Sequence, residues 1–210
     1  MSDPAELFDA ILTGNAKKAE EVTKAALEAK VDPTELVKNY MIPAMDEVGK
    51  RFECNEYFVP ELLIAARAMK TSLALLSPRL AEMGAEAAGR VVIGTVQGDL
   101  HDIGKNLVAS MLEGGGFEVV DLGVDVSPKR FVEEAQARDR TIVALSALLT
   151  TTMTQMKAVI EALSAAGIRD KTKVIIGGAP ITQQYADEIG ADGYSDNASA
   201  AVSLARKLVG

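Results

Sequence analysis

Arg90-Val91-Val92-Ile93-Gly94-Thr95-Val96 runs into Gly98-Asp99-Leu100-His101-Asp102-Ile103-Gly104-Lys105, and the fold turns on this stretch. Its first seven residues form a short apolar run rich in β-branched side chains, the composition of a buried strand. Residues 106–113 read as a helix. Between them lies a loop with glycine at both ends, and it carries the single histidine of the chain, His101. The pattern then repeats. Strands are expected at 91–96, 118–122, 142–146, 174–176 and 193–195, and helices from Lys105, Pro128, Thr152, Gln183 and Ala198. Ser127-Pro128 and Asn197 are good helix starts. Short apolar strands alternating with helices call for a parallel sheet covered on both faces. Five such units suit a flavodoxin-like, doubly wound α/β fold. In that fold the first and third strands are neighbours, and ligands bind beyond the carboxyl ends of the strands at this switch point. The segments after the first strand (98–104), after the third (146–152) and after the fourth (Gly177-Gly178) are therefore expected to meet in one crevice.

Residues 3–83 read differently. Asp3-Pro4 and Asp32-Pro33 are cap-and-proline helix starts, and Gly14-Asn15 separates two helices. Leu7, Phe8, Ile11 and Leu12 share one helical face. Pro43 is expected near a bend in the stretch 35–52. Pro60 opens a last helix with apolar positions at Leu62, Leu63, Ala66, Met69, Leu73 and Leu76. The expectation is an N-terminal helical bundle of four or five antiparallel helices. Gly84-Ala85-Glu86-Ala87-Ala88-Gly89 is small and glycine-bounded, a hinge-like linker. The expected domains are therefore 1–83, helical; 84–89, linker; and 90–210, a five-stranded parallel sheet with helices.

Composition narrows the function. The chain has 210 residues and a formal net charge of -8, which disfavours nucleic acid or an anionic membrane surface as a partner. The lone cysteine, Cys54, excludes an intrachain disulfide and suits a reducing cytoplasm. The polar N-terminus is unlike a signal peptide, and no apolar run is long enough to span a bilayer. Trp is absent and aromatics make up 4% of the chain, too few for an aromatic binding surface.

On chemistry alone, Asp99 two residues before His101 could orient the imidazole. That is the layout of a metal ligand with a supporting carboxylate, although a lone histidine is more often an ordinary surface or core residue. A phosphate loop fits poorly. Five residues rather than four separate Gly98 from Gly104, Asn106 stands where Ser or Thr would follow the lysine, and Asp99 and Asp102 would repel phosphate. A phosphoacceptor reading fails because the third strand ends in Ser146 instead of Asp.

Asp99-x-His101-x-x-Gly104, then Ser146-x-Leu148, then Gly177-Gly178 resembles the cobalamin-binding signature of corrinoid proteins, whose best-known member is cobalamin-dependent methionine synthase. The resemblance covers nearly the whole chain, because the N-terminal part looks like the helical cap domain of the same proteins. It implies that His101 is the lower axial ligand of cobalt, with the cofactor's own benzimidazole displaced and its nucleotide tail buried in the domain. The cofactor-binding residues it implies in the first motif are Gly98, Asp99, Leu100, His101, Asp102, Ile103 and Gly104. Asp99 matches the carboxylate that accepts the other imidazole N–H. Thr152 stands where the methionine synthase relay has a serine, keeping the hydroxyl and adding a methyl. Ser146, Leu148, Thr150, Gly177, Gly178 and, more weakly, Ala198 match the region that lines the nucleotide tail. Phe52, Val59 and Leu62 match cap residues that cover the upper face of the corrin.

The resemblance implies a cytoplasmic corrinoid methyl carrier with cobalamin as cofactor, methylcobalamin when loaded, and no activity of its own. Its implied partners are a methyl-donor-specific methyltransferase, an acceptor methyltransferase and a reductive activator. Donors in this class are methanol, methylamines, betaine or methoxyaromatics, and acceptors are tetrahydrofolate or a thiol. A homo-oligomer is left open. The length leaves no room for the barrels and reactivation domain of an intact methionine synthase. Two other readings stay open: a cobalamin-dependent sensor or regulator, against which the acidic balance weighs, and the small subunit of an adenosylcobalamin mutase.

Overall fold

The computed structural model describes residues 3–84, 87–138 and 140–210. By its internal contacts the chain divides into two units. One reaches Ala87 and includes Glu113–Gly116; the other comprises Ala88–Leu112 and Phe117–Gly210. Ala85 and Glu86 of the expected linker lie outside the described residues.

The helical unit contains α1 (Ala5–Leu12), α2 (Ala16–Glu28), α3 (Pro33–Leu36), α4 (Ile42–Glu53) and α5 (Val59–Glu82). Its starts follow local chemistry. The Asn15 side chain accepts the Lys18 N–H at 3.0 Å, and Asp32 accepts the Thr34 N–H at 2.7 Å with Pro33 in the first turn. The bend expected near Pro43 is a π-helical turn, Val37–Met41, that joins α3 to α4. Pro43 has no N–H to donate, and its ring would press on the carbonyl four residues back. A wider turn just before it relieves that clash. Leu7, Ile11, Leu36, Met41, Val48 and Leu76 are among the fully buried core side chains. Leu63, expected on the apolar face of α5, is instead 48% exposed.

The second unit alternates β1 (Arg90–Thr95), α6 (Ile103–Gly114), β2 (Glu118–Asp121), α7 (Pro128–Gln136), β3 (Thr141–Ser146), α8 (Thr154–Ala165), β4 (Lys173–Gly177), α9 (Gln183–Ile189), β5 (Gly193–Tyr194) and α10 (Ala198–Val209). Among the described residues the strands form one parallel sheet in the order β2-β1-β3-β4-β5. This is the flavodoxin-like order, with its switch point between β1 and β3. The three central strands are buried along their length, because helices cover both faces. Register sets the site. Thr95 pairs with Ser146 and Ser146 with Gly177, so β1, β3 and β4 end level with one another. Their three exit loops start from one line.

Candidate functional site

The loop after β1 is built around a buried carboxylate. Asp99 has no exposed surface, yet its oxygens are well supplied with donors. Oδ1 accepts the backbone N–H of His101 at 3.1 Å and faces the His101 ring Nδ1 at 2.8 Å. Oδ2 accepts the Leu148 N–H at 2.8 Å and the Thr152 hydroxyl at 2.6 Å. The Thr152 hydroxyl has one proton and also lies 3.0 Å from the Leu149 carbonyl. The shorter, charge-assisted bond to Asp99 takes the proton. Burial by itself would raise the Asp99 pKa. The bonds from Thr152, from the Leu148 N–H and from His101 outweigh it and hold the carboxyl well below the usual carboxylate range. An ionised Asp99 accepts only, so it calls for a proton on Nδ1 of His101, and in the neutral ring Nε2 then carries the free electron pair. The imidazole side chain is 51% exposed.

The three motif segments therefore interlock. Asp99 ties the first to the second through Leu148 and Thr152. Ala147 ties the second to the third: a Cβ on Gly178 would lie 1.9 Å from its carbonyl oxygen. Thr152, expected to open a helix, precedes α8 by two residues. It sits in a turn closed by its N–H to the Leu149 carbonyl at 3.1 Å, which aims the hydroxyl back at Asp99. The helix expected from Lys105 begins at Ile103. Asp102 accepts the side-chain amide of Asn106 at 3.0 Å. Thr150 is exposed, and Ser146 ends β3 half-buried.

Two expected contacts take another form. Ala198 opens α10 with its methyl buried, so its side chain faces protein. Leu62 is fully buried, which makes it a core residue of the helical unit. Among its expected companions Val59 is exposed and Phe52 half-buried. Apolar spacing alone does not separate these environments.

Other residues of the site were not singled out from the sequence. The Thr95 hydroxyl donates to the His101 carbonyl at 2.9 Å. Lys105 is 3% exposed, and its Nζ lies 2.6 Å from Asp121 Oδ1. A lysine in the first turn of a helix opposes the helix dipole, and that was the available signal.

The B12 binding domain family matches residues 89–203, and a second family of the same description matches residues 5–77. The chain is 46% identical over 207 residues to trimethylamine corrinoid protein 1 of Methanosarcina acetivorans, covering 98% of this chain and 96% of that one. The chain belongs to the corrinoid proteins. The family membership makes cobalamin, or a related corrinoid, its cofactor. A cobalamin-binding protein from Desulfitobacterium hafniense superposes with a TM-score of 0.81 at 36% identity, covering both chains fully. A chain of the methanol:cobalamin methyltransferase complex MtaBC from Methanosarcina barkeri superposes with a TM-score of 0.85 at 29% identity, covering 97% of this chain and 78% of that one.

The residues at the sheet end fit such a group. His101 is the single histidine, and among the described residues no group of three or more His, Cys, Asp or Glu could hold a metal by itself, so a metal at His101 would have to bring its other donors with it, as a corrin does. Leu100 and Ile103, 70% and 84% exposed, flank the imidazole in sequence, and Leu148 and Leu149 are exposed on the neighbouring loop. Large apolar side chains held this open to water suit the face of a bulky, partly apolar ligand. Among the described residues, no helix is long and apolar enough to cross a membrane.

Proposed function

We propose that this chain is a corrinoid methyl carrier in which His101 ligates cobalt through Nε2. The observation that carries the reading is the 2.8 Å contact between His101 Nδ1 and the buried Asp99 carboxylate, which commits one ring nitrogen and leaves the other to a metal. When bound, the cofactor supplies a cobalt centre able to accept a methyl group and give it up again. The chain's residues supply the rest. Asp99 fixes the ring's tautomer and direction, and Thr152 and Leu148 fix Asp99. Leu100, Ile103, Leu148 and Leu149, exposed beside His101, would hold the cofactor and exclude water around it. Gly98, Asp102, Gly104, Ser146, Thr150, Gly177 and Gly178 contribute backbone and small side chains to the same crevice. The shielding role that the family likeness implies for Phe52, Val59 and Leu62 stays part of this proposal.

Donor and acceptor are read by partner methyltransferases. The identity to a trimethylamine corrinoid protein and the likeness to a chain of a methanol methyltransferase complex support a small one-carbon donor of the methylamine or methanol type. The test is electron paramagnetic resonance of the cob(II)alamin-loaded protein, with histidine labelled in its ring nitrogens. The expected result is hyperfine coupling to the labelled nitrogen, lost in His101→Ala while the fold is retained. Coupling to benzimidazole nitrogen in the unsubstituted protein would overturn histidine ligation.

A further inference from the structure

The turn Asp121-Leu122-Gly123-Val124-Asp125 follows β2, and its two carboxylates reach the histidine loop from outside. Asp125 grips the entry to that loop twice. Its Oδ1 accepts the Gly98 N–H at 2.7 Å, and its own N–H donates to the Asp99 carbonyl at 3.0 Å. Asp121 grips the exit through the buried Lys105, at 2.6 Å, and also accepts the Gly123 N–H at 2.9 Å. The turn is itself fastened to the end of β1. Leu122 N–H donates to the Ile93 carbonyl at 2.8 Å, Thr95 N–H to Gly123 at 3.0 Å, and Val126 N–H to Thr95 at 3.0 Å. Asp125 holds φ +53°, a left-handed backbone that Asp, Asn and Gly tolerate and most side chains do not.

We propose that Asp125 is a positioning residue. It sets the two peptides on either side of the Gly98–Asp99 step, Gln97–Gly98 and Asp99–Leu100, and through them the Asp99–His101 bond, before the cofactor arrives. The physical case rests on Gly98, which opens the loop at φ +81°. A loop entered through glycine has unusual backbone freedom, and any freedom left in the apoprotein must be lost on binding. An anchor from a neighbouring strand removes that cost in advance. A carboxylate suits the task because a bond from an N–H to a charged acceptor is stronger than one to a neutral acceptor. Asp121 and Lys105 do the same at the far end of the loop. This inference rests on histidine ligation as proposed above.

The test compares Asp125→Gly, which keeps the left-handed backbone and removes the acceptor, with Asp125→Asn, which keeps both. Cob(II)alamin affinity and the fraction showing labelled-histidine coupling are measured for the full chain, alone and in the His101→Ala background. Asp125→Gly is expected to weaken binding about tenfold, the lower end for loss of a group supporting a metal ligand, and to lower the coupled fraction. Asp125→Asn should fall between the two, because its amide oxygen still accepts but carries no charge. In the His101→Ala background, Asp125→Gly should change affinity little. An equal loss in both backgrounds would show a general structural role and overturn the proposal, as would unchanged coupling in Asp125→Gly. Benzimidazole coupling in place of labelled-histidine coupling in the unsubstituted protein would overturn histidine ligation itself and this inference with it; labelled-histidine coupling present there but untouched by Asp125→Gly would overturn this inference alone.

Discussion

Two pairs of glycines flank the same crevice and serve opposite ends. In the loop after β1, a Cβ on Gly104 would meet nothing within 4 Å, and one on Gly98 only the Thr152 methyl at 3.7 Å. After β4 the space is already taken. A Cβ on Gly178 would collide with the Ala147 carbonyl oxygen at 1.9 Å, and one on Gly177 would press on the Ser195 carbonyl oxygen at 3.2 Å. The first pair leaves room that a ligand can use; the second lets two segments of the chain touch. Both look alike in sequence. Gly177-Gly178 is proposed above to meet the ligand through its backbone, and the structure gives that pair a further reason inside the protein.

The comparison breaks or holds on three substitutions. Gly178→Ala should have the largest effect. It forces a side chain against backbone at φ +136° and should destabilise the α/β unit by about 1–3 kcal/mol. Chemical denaturation of the apoprotein checks this, and an unchanged midpoint would return Gly178 to the ligand side of the comparison. Thr152→Val comes next. It keeps the shape and removes the hydroxyl bond to Asp99, a loss of about 1.5–3 kcal/mol for a hydrogen bond to a charged group. Thr152→Ser should recover most of that stability, since the hydroxyl and not the methyl makes the bond. Gly104→Ala should be smallest in the apoprotein and opposite in sign. It lies in the first turn of α6 with open space around it, so stability should rise by about 0.5–1 kcal/mol while cobalamin affinity falls. Calorimetric titration separates the two, and a gain in stability with no loss of affinity would show that nothing bulky approaches Gly104.

The α/β architecture was legible because its signal is local. A buried parallel strand reads as a short run dominated by apolar residues, and 91–96, 142–146 and 174–176 supply such runs whatever lies elsewhere in the chain. The Asp99–His101 pair was legible for the same reason: two residues of sequence separation bring carboxylate and ring together. The helical unit was less so. Phe52, Val59 and Leu62 differ little in hydrophobicity, yet one is half-buried, one exposed and one in the core. Asp125 gave no sign at all, being one exposed acid among many.

Fold class, the order of the elements and the placing of His101 beside Asp99 after β1 follow from the sequence alone. These depend on periodicity and short-range chemistry, which a chain carries wherever it is read. Tertiary structure alone shows that Asp99 is bound by Leu148 and Thr152 some fifty residues away, that Ala147 requires Gly178, and that Asp125 holds the Gly98 N–H and the Asp99 carbonyl. Those contacts depend on strand order and register, and these are set by the burial of the whole sheet, which no single segment encodes.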